Sequence, residues 1–296
     1  MKFGKVDDPD LIDFTLPPDH RDTKRVLNKT TPKDKVNLYV GCAKWNKTDL
    51  KGFYPKGTKD ELPYYSSQFN SIELNASFYR IFPPEQFAIW KDKTPHDFKF
   101  FPKLVQNISH FKRLSEDAQP YVDQFIESAM QLDHKLGMSF LQLPHNFAPK
   151  SIDRLEPFFK KFPKELPLAV EFRHKGWFED EHITKELYNI LEAYNKTLII
   201  TDTAGRRDLM AMRQTTSSAF IRFNGTNHKS DYQRLEDWIV RLELWISQGL
   251  QDIYFFVHQN IDKASPLLSA HFIKLANKRF GTMLHIPHLD NPKTEF

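Results

Sequence analysis

Glu73 and Glu171 are the residues from which chemistry can first be read. They stand in two short runs, SIELNAS (71–77) and LAVEFRH (168–174), in which Glu73, Asn75 and Ser77 alternate with apolar residues as on one face of a strand. Two carboxylates on separate strands suit proton transfer, one as general acid and one as base, or acid and nucleophile in glycoside cleavage. Asp202, near the end of LIITDT (198–203), is a third catalytic candidate. The same acids would serve equally as ion-pair partners of Arg173, Arg222 or Lys103 in a polar interior, the usual state of a buried carboxylate.

Around these acids the residue types favour binding. Lys44 and Trp45 follow NLYVGCA (37–43), Asn75 and Tyr79 follow Glu73, and Lys103 lies in FKFFPKL (98–104). Gln142 lies in SFLQLP (139–144), Arg173 follows Glu171, Arg222 and Asn224 lie in AFIRFNG (219–225), and His258 lies in IYFFVHQ (253–259). The excess of Lys and Arg in this set points to a small anionic ligand. Arg222 can grip a phosphate or carboxylate with two parallel N–H groups, close to Gly225, where backbone can approach. A helix beginning after Ser265 would add unpaired amides. Trp45, Phe53, Tyr54, Phe78, Tyr79 and Trp177 could line a cleft that stacks on sugars or bases, or simply pack in loops.

Other chemistries find less support. Glycine is scarce and no Gly-rich nucleotide loop is present, which argues against a dinucleotide or P-loop site. No cofactor is expected. A divalent metal at Glu73, Glu171, Asp202 and His258 has no support in spacing, and in HIPHLD the Pro287 between His285 and His288 prevents a helix that would align them with Asp290. Cys42, flanked by Gly41 and Ala43, reads as a packing residue. As the only cysteine it excludes an intramolecular disulfide and suits a reducing compartment.

The elements that must position these residues come from periodicity. The eight runs at 37–43, 71–77, 98–104, 139–144, 168–174, 198–203, 219–225 and 253–259 read as strands, most of them followed by amphipathic helices. YQRLEDWIVRLELWISQG carries an apolar stripe closed by Gly249, and PYVDQFIESAMQLDHKLG carries one through Val122, Phe125, Ile126, Ala129 and Met130 to Gly137. In PLLSAHFIKLANKRF, Ser265 is expected at the N-cap and Pro266 at the first helical position. AGRRDLMAMRQTTSS, between the sixth and seventh strands, offers at most a short helix.

This pattern predicts an α/β fold, a (β/α)8 TIM-type barrel with one degenerate unit between strands six and seven; a doubly wound sheet is the alternative. Residues 1–36, rich in Asp, Lys and Pro, form an N-terminal extension that wraps the domain or stays mobile, and 37–296 form one barrel domain. A hydrophobic content of 40% is enough for a substantial core, and the net charge of +4 favours anionic ligands without requiring nucleic acid. There is no apolar run of membrane-spanning length and no basic-then-apolar leader, so a cytoplasmic protein without membrane partners is expected.

The runs VGCAKW, GFYP, IELNASFYR, W-x-x-x-TP at Trp90 to Pro95, FKFFPK, SHFKRL, VEFRHKGW and IRFNG resemble, in order, the motifs of the YecE-like family, the domain of unknown function 72. The resemblance covers the chain from about residue 38 onward. It implies a TIM-type barrel and names no reaction. It also implies two departures: Asn224 stands where the family usually has His before Gly225, and His258-Gln259 stands where it usually has an Asn pair. Together the residues suggest a hydrolase or lyase acting on a phosphorylated or otherwise anionic substrate, with Glu73 or Glu171 moving the proton. A non-catalytic nucleic-acid-binding module and a glycoside hydrolase are the alternatives.

Overall fold

The computed structural model describes residues 4–33 and 35–288. Eight strands are found among them: β1 (Asn37–Cys42), β2 (Ser71–Leu74), β3 (Lys99–Pro102), β4 (Ser139–Gln142), β5 (Leu168–Glu171), β6 (Thr197–Asp202), β7 (Ser218–Gly225) and β8 (Asp252–Gln259). Six form one parallel sheet in the order β1-β8-β7-β6-β5-β4, and β2 pairs β3, also in parallel. The result is an α/β, barrel-like fold.

The two sheets meet along both edges. Between β3 and β4 the Gly137 amide donates to Phe100 O at 2.8 Å and the Leu104 amide to Phe140 O at 2.9 Å. Between β1 and β2 side chains replace the ladder. Asn70 accepts from the Val40 amide at 3.0 Å and donates to Leu38 O at 2.8 Å, while the Tyr65 hydroxyl accepts from the Cys42 amide and donates to Ser71 O. Gly41 permits this approach, since a Cβ there would lie 2.2 Å from Ser71 O.

Alternation sorts each strand's residues. Phe101, Phe140, Ala169, Ile199, Phe220 and Phe256 pack with Tyr39 and Tyr254 into an inner apolar cluster. The intervening residues, such as Leu141, Val170, Ile200 and Phe255, join the larger core under the helices. One inward step further along, two residues on, come Lys103, Gln142, Glu171, Thr201, Arg222 and His258. The site is therefore a polar layer resting on an aromatic one.

Several local expectations change. β2 stops at Leu74, and Ala76–Tyr79 form a short helix, so Asn75 and Ser77 do not continue the face of Glu73. Ser77 instead donates to Leu74 O and Lys103 O, tying that turn to the end of β3. The helix Gln119–Ala129 ends early and passes into a 3-10 turn, where Asp133 has φ 51°, and Met130 is exposed rather than part of the apolar stripe. Ser265 is the first residue of the helix Ser265–Phe280 and not its cap, and its buried hydroxyl has no partner. The helix Ser230–Ser247 buries Leu235, Trp238, Ile239, Leu242 and Trp245 as the stripe requires, and Gly249 follows with φ 112°. The β6–β7 connection contains one 3-10 helix, Ala204–Leu209.

The described part of the N-terminal extension wraps the β6–β8 side. Asp19 accepts from Arg241 at 2.6 Å and Trp245 Nε1 at 2.9 Å, Arg234 lies 4.5 Å over the Phe14 ring, and Gly4 O accepts from the Gly205 amide at 2.9 Å. Gly4 has φ 74°, and a Cβ there would strike the Thr203 hydroxyl, so the tip fits against β6 only as glycine.

Candidate functional site

The polar layer is one connected network. Arg222 donates to Glu73 twice, through Nε at 2.9 Å and a terminal nitrogen at 2.8 Å, and its other terminal nitrogen donates to Glu171 at 2.6 Å. Glu171 also receives Arg173 Nε at 2.6 Å and Gln142 Nε2 at 2.8 Å. Gln142 Oε1 in turn accepts from Lys103 Nζ at 2.8 Å. On the other side Glu73 receives Asn75 Nδ2 at 2.6 Å and meets His258 Nε2 at 3.1 Å. The network draws on six strands or their ends, β2, β3, β4, β5, β7 and β8, because neighbouring residues of one strand point to opposite faces.

Electrostatics fixes the charge states. Burial would raise the Glu73 carboxyl, but Arg222 and then His258 overrule it and hold the group well below the ordinary carboxylate range. Glu171 is likewise lowered, with burial opposed by Arg173 and Arg222. Both acids are carboxylates at neutral pH, so neither is a poised proton donor. Lys103 goes the other way: burial and then the neighbouring Arg222 bring its ammonium down to about 7, and the Phe78 ring lies 4.0 Å from it. His258 is the member of the network that couples a carboxylate to a titratable ring facing a cavity. Its Nδ1 has no protein partner among the described residues.

That cavity has a volume of about 680 Å³ and is walled by Glu73, Asn75, Arg222, Asn224 and His258, with Lys44, Trp45 and Tyr79 on other sides and Gly4 and Thr203 closing one edge. Tyr79 is 71% exposed, so its ring is available to a ligand. The expected cationic excess is absent here. Lys44 is held by Asp49 at 3.2 Å and Asp262 at 2.8 Å, and Arg222 is held by the two glutamates. Asp262 lies in the 3-10 turn that leads into the helix beginning at Ser265, and its carboxylate is turned to Lys44.

The remaining candidates lie elsewhere. Asp202 faces away from the cavity, into the helix layer, where Arg234 and Trp238 Nε1 each donate to it at 2.8 Å and Arg207 adds a further ion pair. Lys103, Gln142 and Glu171 are buried beside the cavity and do not line it. Arg173 lines a second cleft together with His145, Lys150, His174, Lys175 and Arg206. Trp177 is fully buried and donates to Phe147 O, and Phe53 and Tyr54 pack against Tyr64. Burial pushes the Cys42 thiol up to about 12, which fits packing. Among the described residues no group of three or more His, Cys, Asp or Glu is gathered that could hold a metal. His285 and the His288 amide both meet Gln68, and Asp290 lies outside the described residues.

Sequence reasoning missed Asp49, Asp262 and the second cleft, all in loops where no periodicity signals position. It also left Asn224 and His258 as separate departures. The β7–β8 register pairs them directly, so the imidazole and the amide sit side by side at the cavity wall.

The comparisons agree with this architecture. Residues 39–293 match the family model described as protein of unknown function DUF72. The UPF0759 protein YecE of Escherichia coli K12 is 26% identical over 243 residues, spanning 75% of this chain and 86% of that protein. The UPF0759 protein YunF of Bacillus subtilis is 26% identical over 254 residues, covering 75% and 89%. A crystal structure of a DUF72 family protein from Thermotoga maritima superposes with a TM-score of 0.66 at 25% identity, covering 81% of this chain and 99% of that one. One from Enterococcus faecalis gives 0.67 at 19% identity, covering 83% and 99%. The N-terminal wrap precedes the matched region, and from residue 39 onward the chain belongs to the DUF72 family.

Proposed function

We propose that the protein is a hydrolase or lyase acting on a phosphorylated or otherwise anionic substrate, with His258 as the group that moves the proton. The observation that carries this reading is the 3.1 Å contact between Glu73 and His258 in the wall of the 680 Å³ cavity. A carboxylate held ionised on one ring nitrogen orients the imidazole and leaves the other nitrogen to accept a proton from substrate or water. Arg222 fixes Glu73 in turn, so the base is preorganised before substrate arrives. Glu73 is then a positioning residue, and Glu171 holds Arg222 and Arg173.

The edge contacts through Gly137, Leu104, Asn70 and Tyr65 support reading the two sheets as sectors of one closed (β/α)8 barrel, formed by residues 37–296 as one domain. The cavity then lies at the C-terminal mouth, where barrels of this type carry their active sites. A glycosidase is less favoured, since that chemistry needs one carboxyl protonated as the acid and here both are kept ionised. Among the described residues no helix is long and apolar enough to cross a membrane.

The test is a turnover screen over phosphosugars, nucleotides and other phosphate esters, repeated with His258→Gln and Glu73→Gln. Once a substrate is found, His258→Gln is expected to lower kcat by roughly 10²–10⁴ with an unchanged melting temperature, the range for losing a general base. Turnover at the wild-type rate in His258→Gln would remove the imidazole from the mechanism.

A further inference from the structure

We propose that the cleft beside the cavity is the phosphate-binding subsite of the same substrate. The proposal rests on reading the cavity as the reacting centre, and it supplies the anion site that the cavity lacks. The cleft, of about 460 Å³, is built by three successive loops that leave the C-terminal ends of strands. His145 and Lys150 follow β4, Arg173, His174 and Lys175 follow β5, and Arg206 follows β6.

Its electrostatics differ in kind from those of the cavity. No carboxylate lines the cleft. Lys150 is exposed and has no ion-pair partner among the described residues. Lys175 reaches Glu179 at 3.0 Å, but both side chains are more than half exposed, and a surface pair of this kind is readily exchanged for a ligand. Arg206 carries Asp208 with it, gripped at 2.9 and 2.8 Å, and contributes the least free charge. His174 Nδ1 accepts the Gly176 amide at 3.1 Å, which leaves its Nε2–H as a donor. Donors converging from three loops suit an anion with several oxygens and more than one negative charge, which a phosphate monoester has and a carboxylate lacks.

Arg173 joins the two sites. It lines the cleft and donates to Glu171, Glu171 accepts from Arg222, and Arg222 holds Glu73 against His258. A substrate with its phosphate at Arg173 and its reacting bond at His258 would lie along this chain of ion pairs.

The test is calorimetric titration of the full chain with inorganic phosphate at low ionic strength, and separately with an eight-nucleotide single strand of thymidylate. Lys150→Glu/Lys175→Glu is expected to weaken phosphate at least tenfold, while His258→Ala changes it by less than twofold. Both lysines are exposed, so folding should survive; if the double variant fails to fold, Lys150→Ala alone should still weaken phosphate measurably. The proposal is overturned if wild type binds no phosphate, if the cleft variants bind it undiminished, or if His258→Ala abolishes binding. It is also overturned, in favour of a nucleic-acid surface, if the oligonucleotide binds with steep salt dependence while phosphate does not bind at all. Failure of the reacting-centre reading looks different: phosphate binding intact and turnover unaffected by His258→Gln.

Discussion

The cavity and the cleft open from neighbouring loops at the same end of the strands, yet they use charge in opposite ways. In the cavity every permanent charge is matched: Glu73 with Arg222, which Glu171 holds from beside the cavity, and Lys44 with Asp49 and Asp262. Such a network is rigid and oriented, which suits chemistry more than capture. In the cleft Lys150 and Lys175 are exposed, Lys175 with an exchangeable partner, which suits capture more than chemistry, while Arg173 is anchored on the buried Glu171. A substrate that needs both would be gripped by one and converted by the other.

The largest expected effect would break the matched side of this contrast. Arg222→Met leaves two buried carboxylates without their shared cation, and losing one partner of a buried pair costs about 3–5 kcal/mol, measurable by urea unfolding. Adding Glu73→Gln and Glu171→Gln to Arg222→Met should recover much of that loss. If Arg222→Met alone unfolds at the wild-type midpoint, the network is not what holds the polar layer.

A second test uses pH. The Glu73 and Glu171 carboxyls are lowered in the folded state, so their stabilisation is present above the ordinary carboxylate range and disappears as pH falls through their depressed values. Lys103 is lowered to about 7, so it binds fewer protons folded than unfolded across pH 7 to 10.5. Its contribution therefore makes stability rise with pH through that window. Lys103→Met should flatten this rise, and a slope identical to wild type would show that Lys103 stays charged.

A smaller effect concerns the wrap that precedes the family region. Asp19→Ala removes the acceptor for Arg241 and Trp245 and should lower stability by about 1–2 kcal/mol, with no change in phosphate binding. A loss of phosphate binding in Asp19→Ala would extend the cleft to the N-terminal segment.

How much of this was legible in the sequence depends on what each residue answers to. Glu73, Arg222 and His258 were legible because strand alternation puts them on the inward face, Arg222 and His258 two residues beyond Phe220 and Phe256, and Glu73 level with Phe101 in the β2–β3 register. Asp202 was misplaced because β6 is apolar on both faces, Ile199 inward and Leu198 and Ile200 outward, so its parity could not be read. Asn75 reads as strand because ELNAS alternates, although the chain turns into a helix at Ala76. The lysines and arginines near the strand ends are visible in the sequence as a cationic excess, whereas the return of Asp49 and Asp262 onto Lys44 is set by loops and is not. Lys150, Lys175 and Arg206 gained meaning only when three loops converged.

The most direct test of the central claim is the tautomer of His258, read from the two imidazole nitrogen-15 shifts at a pH where the ring is neutral. The proton is expected on Nε2, toward Glu73, with Nδ1 free to accept one from substrate. A proton on Nδ1 would mean that the ring is not held by Glu73 as a base, and would contradict that claim.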